Sequence, residues 1–478
     1  MRVTLRAFAP IAALLCLIGT AAYTQPNSKL SLPIPDQGDI LERDVVIIGG
    51  GSAGTYAAIR LRQLDQSVVV IEKHERLGGH SNTYFDPVTG IPVAYGVMTF
   101  HNKSVVTDYF AHFNIPLVNE IFPTNQSENV DFTTGEPIDI KPISIPSDDP
   151  EVQTAVENYM AQLAKYPFLE DEYYHLPDPI PEDLLLPFGA FATKYRIDAI
   201  VPLIAGYTLG FGDPLAQTTL YMLKTFSRQI ILGIQRGTLT YTSHNNNELY
   251  QAAEKELGSD VLYQSTVIGA QRGLNETDDS RYILAQTPSG QKFIRAKKIL
   301  VTIPPTRENL VPFDLDKTEE AIFTQFSGTY YWTSVIRNIY HTGSAPAIQN
   351  RAFGTPYNLP ILPGVYGMLN TRVPGLNWVL YGSSTFMSNE EVKRNLVDSL
   401  LRVRHANVTI TEPEIVGFAS HSPYEVVVPV EAIKAGFYRN LHALQGHRGT
   451  YYTGAALTAH ESHLIWGFTE KLLFDHFV

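Results

Sequence analysis

Residues 44–80 read DVVIIGGGSAGTYAAIRLRQLDQSVVVIEKHERLGGH, and this stretch decides the fold. The β-branched run at 45–48 predicts a short, fully buried parallel strand. Ala57, Ala58 and Leu61 then recur at helical spacing, and a second β-branched run at 68–71 ends in Glu72. Strand, glycine turn, helix, strand and acid within about 30 residues is the context of a dinucleotide-binding βαβ unit.

Three glycines between the first strand and the helix follow the G-x-G-x-x-G spacing. Gly49 permits the tight turn, Gly51 lets the backbone approach a pyrophosphate, and Gly54 lets the helix pack closely on the strand. The N-terminus of the helix supplies N–H donors and partial positive charge for the anion. The alternative is an ordinary βαβ unit with a glycine-rich turn, which the agreement of strands, spacing and acid disfavours. The predicted pyrophosphate contacts are Gly49, Gly50, Gly51, Ser52, Ala53 and Gly54.

An acidic residue closes the second predicted strand. The Glu72 carboxylate can accept hydrogen bonds from an adenosine ribose, and it would repel a 2′-phosphate. NADP is therefore disfavoured. Lys73 follows directly and is a further predicted cofactor contact.

Length and composition bound the class of protein. The 478 residues suffice for two domains with sizeable cores. A formal charge of -12 and a pI near 5.6 argue against nucleic acid as a partner. The 26 Tyr and 23 Phe are consistent with an aromatic-lined cavity, although a large core alone would also explain them.

The N-terminus has the pattern of a secretory signal peptide. Arg2 and Arg6 precede an apolar run at 7–22, which Pro10 interrupts and which ends in small residues. The run is too short for a stable membrane span, so we predict a signal peptide at 1–22 and a secreted or secretory-pathway protein. The only cysteine, Cys16, lies inside it, so the mature chain would have no disulfide and no cysteinyl-flavin link. No metal site is predicted.

Four N-x-S/T sequons are candidate glycosylation sites if the host is eukaryotic. They lie at Asn102, Asn125, Asn275 and Asn407.

The residues after Glu72 distinguish NAD from FAD. Arg76-Leu77-Gly78-Gly79 completes E-x-x-x-R-x-G-G, and here the chain resembles the flavin amine oxidase superfamily. Its GTYAAIRL and SVVVIEKHERLGGH segments look closest to the β-cyclopiazonate dehydrogenase-like branch, whose members are FAD enzymes acting on fungal alkaloids. The resemblance implies FAD as cofactor, with contacts from Arg76, Gly79 and His80.

The resemblance also implies cofactor contacts further along the chain. They are Tyr95, Gly96, Val97, the backbone of Val267, Thr302, Gly454, Ala455, Leu464 and Ile465. A helix starting near Leu464 would direct its N-terminus at flavin N1 and O2, where reduced flavin is negatively charged. The chain departs from the family at three positions, with Ala94 and Ala455 where acids are usual and Leu464 where a cage tyrosine is usual.

The fold that the resemblance implies is α/β, with a Rossmann-type FAD-binding domain of the amine-oxidase kind and an inserted α+β substrate domain. The FAD-binding domain would comprise 43–100, 231–305 and 416–478, and the substrate domain 101–230 and 306–415. In the latter, Ser388 with Glu391 predicts a helix start, and Val392, Leu396 and Leu400 share one face.

The predicted function is FAD-dependent dehydrogenation of a small, bulky aromatic or alkaloid-like metabolite by hydride transfer to flavin N5, with ring closure as an optional further step. The candidate proton-handling residues are Arg337, His463 and His80, with His460 as a fourth. An ion-paired structural arginine is the alternative for Arg337. The alternatives for the protein are an ordinary amine oxidase that releases hydrogen peroxide, a nicotinamide-dependent dehydrogenase, and a secreted flavoprotein without turnover. Molecular oxygen and a second enzyme both remain open as electron acceptor.

Overall fold

The computed structural model describes residues 40–121, 127–171, 174–273, 281–341, 347–405 and 407–478. In these ranges the strands are β1 (Ile40–Ile48), β2 (Val68–Ile71), β3 (Thr83–Phe85), β4 (Pro92–Ala94), β5 (Leu117–Glu120), β6 (Ser127–Val130), β7 (Thr238–Tyr241), β8 (Val261–Leu262), β9 (Thr266–Arg272), β10 (Arg281–Thr287), β11 (Gly290–Val301), β12 (Ser327–Gly328), β13 (Tyr330–His341), β14 (Ala347–Asn350), β15 (Gly364–Asn370), β16 (Leu376–Ser383), β17 (Val408–Ser420), β18 (Val426–Val427) and β19 (Thr450–Tyr452).

The α-helices of the described ranges lie between these strands. They are α1 (Ser52–Gln63), α2 (Ser104–His112), α3 (Pro150–Leu163), α4 (Phe168–Asp171), α5 (Phe188–Lys194), α6 (Val201–Tyr207), α7 (Thr219–Thr225), α8 (Arg228–Arg236), α9 (Glu248–Leu257), α10 (Lys317–Phe323), α11 (Asn389–Arg402), α12 (Val430–Lys434), α13 (Phe437–His442) and α14 (Ser462–His476).

The first sheet carries the predicted βαβ unit. Its order is β8-β2-β1-β11-β10-β9, with β19 paired to the end of β11. β1 runs parallel to both β2 and β11, so that Ile47 lies between Val70 and Leu300. All four residues of β2 are buried, because helices cover both faces of a parallel sheet. The carboxyl ends of β1, β2, β11 and β19 therefore meet at one edge of this sheet, which is where ligands bind in open α/β sheets.

The second sheet forms the other domain, in the order β17-β13-β16-β15-β14-β6. Helix α11 covers one face, and its Val392, Leu396 and Leu400 are fully buried against residues of the sheet. The Ser388 side chain accepts a hydrogen bond from the N–H of Glu391 at 3.3 Å, as the capping pattern predicts. This α+β domain is joined to a helical part made of α3 to α8.

The domain boundaries of the sequence prediction need two changes. The predicted division at 415 falls inside β17, which pairs with β13 as far as Ser420, so the second sheet ends at about 420. Helix α2 was placed in the substrate domain, but Tyr109 of α2 packs edge-on against Trp466 of α14 at 5.1 Å between ring centroids. Because that contact buries the aromatic face of α2, this helix belongs with the FAD-binding half.

A buried ion network ties β9 to α10 and to the residues just before that helix. Arg272 is fully buried and donates to both carboxylate oxygens of Glu319, at 2.6 and 2.8 Å. Its Nε donates to Asp314 at 2.8 Å. Burial acts to lower the pKa of Arg272, but the hydrogen bond and charge of Glu319 outweigh it and raise the pKa. The charge is thus retained inside the fold because it is fully paired.

Several sequence predictions concern residues outside the described ranges or on the protein surface. The predicted signal peptide with Cys16, and the sequons at Asn125 and Asn275, lie outside the described ranges. Asn102 is exposed, and the Asn407 side-chain amide donates to Glu128 at 2.9 Å. Among the helices described, none combines the length and apolar character that crossing a bilayer requires.

Candidate active site

The glycine turn after β1 is closely packed on three sides. A Cβ atom on Gly54 would lie 1.9 Å from the carbonyl oxygen of Gly49, so no side chain fits there. On Gly50 it would come within 2.4 Å of Leu77. The Thr302 hydroxyl donates to the carbonyls of Ile48 and Gly49 at 3.0 and 2.9 Å, which fixes the turn against the end of β11.

The fourth side of the turn is open. A Cβ atom on Gly51 would have only the Cα of Gly79 within 4 Å, at 3.9 Å. Gly79 adopts φ +53°, and its own Cβ would lie 3.0 Å from the Cα of Gly51. The backbones of the two glycines thus lie close together at the N-terminus of α1, and open space remains beside Gly51, where a pyrophosphate would meet the N–H donors of the helix. We call this open space the cofactor groove.

Glu72 closes the adenosine end of this groove. It is 5 % exposed, and its carboxylate accepts the N–H of Gly50 at 2.6 Å and that of His74 at 2.8 Å. These bonds hold the acid directly beside the glycine turn. Val267 follows two residues after Ser265, whose N–H donates to the Glu72 carbonyl, and so lies at the same end. Lys73 is exposed on the outside of the turn.

The Arg76 side chain forms its hydrogen bonds within the loop that follows it. Its guanidinium donates to the carbonyls of Leu77 and Ser81 at 3.0 and 2.9 Å, and to the side chain of Asn82. These bonds organise the segment that carries Gly78, Gly79 and His80. Gly96 packs against the same segment, since a Cβ atom there would lie 1.9 Å from the carbonyl oxygen of His80. Tyr95 and Val97 continue the wall through backbone bonds to Asn82 and His80.

The N-terminus of α14 lies beside the glycine turn. The Trp466 indole N–H donates to the Ser52 hydroxyl at 2.9 Å, which ties the two elements together. The N–H groups of Leu464 and Ile465 donate to the carbonyl of Glu461, whereas those of Ser462 and His463 have no acceptor among the described residues. The helix thus presents two free N–H donors at the end where the sequence prediction put the flavin. Gly454 and Ala455 lead into it from β19.

Three histidines stack where the two domains meet. His80, in the loop after the double glycine, stacks on His421 with centroids 4.2 Å apart and on His460 at 5.9 Å. We call these the histidine stack. Tyr424 stacks on His460 at 4.0 Å and contacts Tyr331 of β13 at 4.8 Å. Aromatic rings therefore line this side of the junction between the FAD-binding domain and the second sheet.

The histidine stack is uncharged at neutral pH. Burial lowers the pKa of His421 to about 3 and that of His460 to about 4, and it lowers the pKa of His80 well below its usual value. Imidazoles with such low pKa values are weak bases near pH 7. The rings of His80 and His460 therefore contribute uncharged aromatic surface and are poorly suited to act as general bases.

A second cluster, the α14 cluster, comprises His101, Glu461 and His463. His101 Nε2 lies 3.2 Å from Glu461 Oε2, and the His463 ring nitrogen Nδ1 lies 3.9 Å from the same oxygen. Burial acts to raise the pKa of Glu461, but the hydrogen bond and charge of His101 outweigh it and lower the pKa. His463 Nδ1 is buried with no hydrogen-bond partner in the described part of the chain. Burial lowers the pKa of His463 to about 4.

Two groups have donor atoms close enough to surround a metal ion. In the α14 cluster all three donors lie within 4.8 Å of one another, and the His101–Glu461 ion pair satisfies two of them without a metal. The second group is Asp316, Glu319 and His447. Arg272 occupies both carboxylate oxygens of Glu319, so this second group is part of the ion network.

Arg337, predicted from the sequence to be a catalytic candidate, lies in an ion-paired environment. It donates to the Tyr84 hydroxyl at 2.9 Å and pairs with Glu414 at 3.3 Å and Asp86 at 3.5 Å. It follows Tyr331 by six positions in β13, which corresponds to about 20 Å along an extended strand. The ion-paired alternative is what the structure contains.

The structure adds residues that sequence reasoning missed. They lie in the segment 421–425 after β17, in the loop before α14, and just before α2. The main ones are His421, Tyr424, Glu425, Glu461 and His101. None stands in a motif with a spacing rule, and the only available signal was the density of histidines at 421, 460 and 463.

Comparisons with known proteins agree with this geometry. Residues 47–113 match the model of the NAD(P)-binding Rossmann-like domain family. The chain is 37% identical over 470 residues to FAD-dependent oxidoreductase pigF of Monascus ruber, covering 96% of this chain and 97% of the relative. It is 33% identical over 444 residues to β-cyclopiazonate dehydrogenase of Aspergillus oryzae, covering 92% and 94%.

Solved structures share the fold at low sequence identity. A fatty acid isomerase from P. acnes superposes with a TM-score of 0.72 at 17% identity, covering 91% of this chain and 99% of the other. Wild-type putrescine oxidase gives a TM-score of 0.62 at 17% identity, covering 91% and 98%.

Fold and site together define a flavin-dependent oxidoreductase of the amine-oxidase fold. The chain belongs to the family of FAD-dependent oxidoreductases that includes β-cyclopiazonate dehydrogenase. The cofactor groove fits FAD, because its glycines leave space for a pyrophosphate and the N-terminus of α14 leaves N–H donors free. When bound, FAD supplies the two-electron acceptor for oxidation of the substrate.

Proposed function

We propose that the protein dehydrogenates a bulky, largely apolar, ring-bearing metabolite, with oxidative ring closure as an optional further step. The observation that carries this proposal is the uncharged aromatic surface at the domain junction, formed by the histidine stack with Tyr424 and Tyr331. Each aromatic pair that a substrate ring forms with such a surface contributes about 1 kcal/mol beyond burial of its area.

The position of the expected cage tyrosine supports a substrate other than a simple amine. Leu464 is buried, with 4 % of its surface exposed, and its side chain is aliphatic. It therefore offers no aromatic face to guide an amine nitrogen. The name of the relative β-cyclopiazonate dehydrogenase points in the same direction.

Amine oxidation is the second candidate, and one observation favours it. Glu461, whose pKa is lowered despite its burial, places a carboxylate beside the N-terminus of α14. A protonated amine would be attracted to that charge. The fold shared with putrescine oxidase supports this candidate.

The N-terminal pattern supports a proposal on location. The cationic start, apolar run and small residues at 1–22 favour export into the secretory pathway. Expression of the full chain in a fungal host should give a secreted protein whose N-terminus begins near residue 23. Retention of Met1 in an intracellular product would contradict this.

The test of substrate class is an anaerobic panel with bleaching of the bound flavin as readout. The panel contains β-cyclopiazonate, other indole-type and polyketide-type metabolites, benzylamine and putrescine. We expect bleaching by ring-bearing metabolites and none by the two amines. The opposite pattern would establish an amine oxidase, and bleaching by no compound would favour a flavoprotein without turnover.

Two tyrosine variants locate the binding surface. Tyr424→Leu removes a ring that stacks on His460, and it should lower kcat/KM for ring-bearing substrates by about 2- to 12-fold, the equivalent of one aromatic pair. Tyr340→Leu is the matched control, because Tyr340 is 47 % exposed on β13. Equal effects of both variants would remove the support for the aromatic junction.

A further inference from the structure

Glu425 is a buried carboxylic acid without a hydrogen-bond donor. It is 8 % exposed, and no described residue donates to its carboxyl oxygens. The nearest candidate is His460, whose Nε2 is 3.9 Å from Glu425 Oε2 and donates instead to the Tyr424 carbonyl at 2.9 Å. The carboxyl oxygens are nevertheless not fully enclosed, so they remain reachable from the space around them. A largely buried carboxyl group with no donor and an accessible oxygen is suited to exchange a proton.

The backbone holds Glu425 in place although its side chain is unpartnered. The N–H of Thr329 donates to the Glu425 carbonyl at 3.2 Å, and the N–H of Tyr424 donates to the Thr329 carbonyl at 2.9 Å. The Tyr424 ring packs on Gly210, where a Cβ atom would lie 2.3 Å from it. The position of the carboxyl group is therefore set by two neighbouring segments.

The surroundings of Glu425 link the substrate side to the cofactor side. His460 lies 3.9 Å from it, and Tyr424 precedes it in the chain. Four further groups are near enough to interact with its charge, namely Glu461, Tyr174, Tyr221 of α7 and Tyr438 of α13. The tyrosines form one packed set, in which Tyr174 stacks on Tyr438 at 4.2 Å and Tyr438 donates to the Tyr221 hydroxyl at 2.8 Å. Glu425 thus lies between an aromatic wall and the end of α14 that faces the cofactor groove.

Glu425 and Glu461 favour different protonation states. Burial, and then the charge of Glu461, raises the pKa of Glu425 to about 8, whereas the pKa of Glu461 is lowered. Pairs of acids with diverging pKa values mark acid and base positions in enzyme sites. At neutral pH Glu425 is mostly protonated, and a small rise in pH ionises it.

We propose that Glu425 is the redox-linked proton acceptor of the site, an inference that rests on the dehydrogenation proposed above. One C–H bond of the substrate breaks, and its hydrogen and both electrons pass to FAD. A neighbouring C–H, N–H or O–H bond breaks heterolytically, and its electron pair forms the new double bond. Where Glu425 is ionised, this proton forms an O–H bond on its carboxylate and returns to water when FAD is reoxidised.

FAD gains negative charge when it is reduced. This charge should favour the protonated form of Glu425, because a nearby like charge disfavours ionisation of a carboxyl group. The test measures the midpoint potential of the FAD-loaded full chain against pH, since its slope counts the protons taken up with two electrons. We expect wild type to take up one more proton per FAD than Glu425→Gln above about pH 8, and the two to coincide below about pH 7.

Two variants control this measurement. Glu425→Asp keeps a carboxyl group and should retain the additional proton. Glu431→Gln, which changes a surface acid paired with Lys434, should behave as wild type. If Glu425→Gln retains the additional proton, the proposal is wrong, and loss of that proton in Glu461→Gln instead would assign the role to Glu461.

A measurement on wild type alone covers the case in which Glu425→Gln does not fold. The infrared difference spectrum between oxidised and reduced protein above about pH 8 should gain the C=O band of a protonated carboxylic acid on reduction. Absence of that band would refute the proposal. Neither readout uses a substrate, so failure of the substrate panel and failure of this inference are distinguishable.

Discussion

The ring of His80 lies parallel to the ring of His421, with 4.2 Å between centroids and 11° between planes. His80 follows the double glycine of the FAD-binding domain, and His421 follows the last strand of the second sheet. The Asn82 side chain contacts the His421 ring nitrogen at 3.2 Å in the same place. Since both domains contribute to this contact, the histidine stack exists only when they are docked.

The first prediction concerns the glycine turn. Gly51→Leu would fill the space opposite Gly79, so the purified variant should fold and yet be colourless. Gly54→Ala should instead destabilise the protein by about 3 kcal/mol, because its methyl group would overlap the Gly49 carbonyl. Flavin absorbance per protein and urea unfolding separate the two effects. A yellow Gly51→Leu protein would contradict the assignment of the groove.

FAD should be released without breaking a covalent bond. The only cysteine of the chain is Cys16, and the ring of His80 is sandwiched in the histidine stack. Precipitation of the protein with acid should leave free FAD in the supernatant. Flavin that remains with the washed pellet would overturn this expectation.

The histidine stack should make stability depend on pH. The pKa of His421 is about 3 in the folded protein and near 6.5 when unfolded, so the unfolded state binds the extra proton between these values. Stability is therefore lost as pH falls below 6.5, by about 2 kcal/mol at pH 5 for His421 alone.

Urea unfolding at pH 7 and pH 5, compared between wild type and His421→Gln, isolates this contribution. The difference between the two proteins cancels the opposite contribution of Glu425, which is protonated in the folded state at both pH values. An unchanged pH dependence in His421→Gln would show that His421 is charged in the folded protein.

Replacing Arg337 should leave the chemistry intact. It is 32 % exposed and paired with Glu414 and Asp86, so Arg337→Met should cost less than about 1 kcal/mol of stability. The rate of flavin bleaching by the best substrate should change by less than about twofold. A large loss of rate with normal FAD content would return Arg337 to the active site.

The buried ion network should be sensitive to removal of one partner. Arg272→Met leaves the buried Glu319 with Arg448, at 3.4 Å, as its remaining counter-charge, and we expect a loss of about 3 kcal/mol in the free energy of unfolding. The double variant Arg272→Met/Glu319→Leu should recover part of this loss, because no isolated charge remains. Equal stability of the single and double variants would contradict a paired charge at this position.

Sequence patterns were most informative where the relevant contacts are local. The βαβ unit, the glycine turn and the acid at Glu72 lie within 37 residues, and strand and helix periodicity determines their order and orientation. The comparisons confirm FAD as cofactor and the amine-oxidase fold. The start of α11 at Ser388 was also predictable, since a capping pattern depends on only four residues.

Sequence alone determined the cofactor and the class of fold, because glycine spacing and strand periodicity act over short distances along the chain. The tertiary structure decided which side chains meet at the domain junction. His80, His421, Glu425 and His460 come from distant segments, and no local pattern records that docking of the two domains brings them together. The same docking places Arg337 in an outer ion pair and leaves Glu425 buried without a donor, because burial and pairing depend on packing between elements.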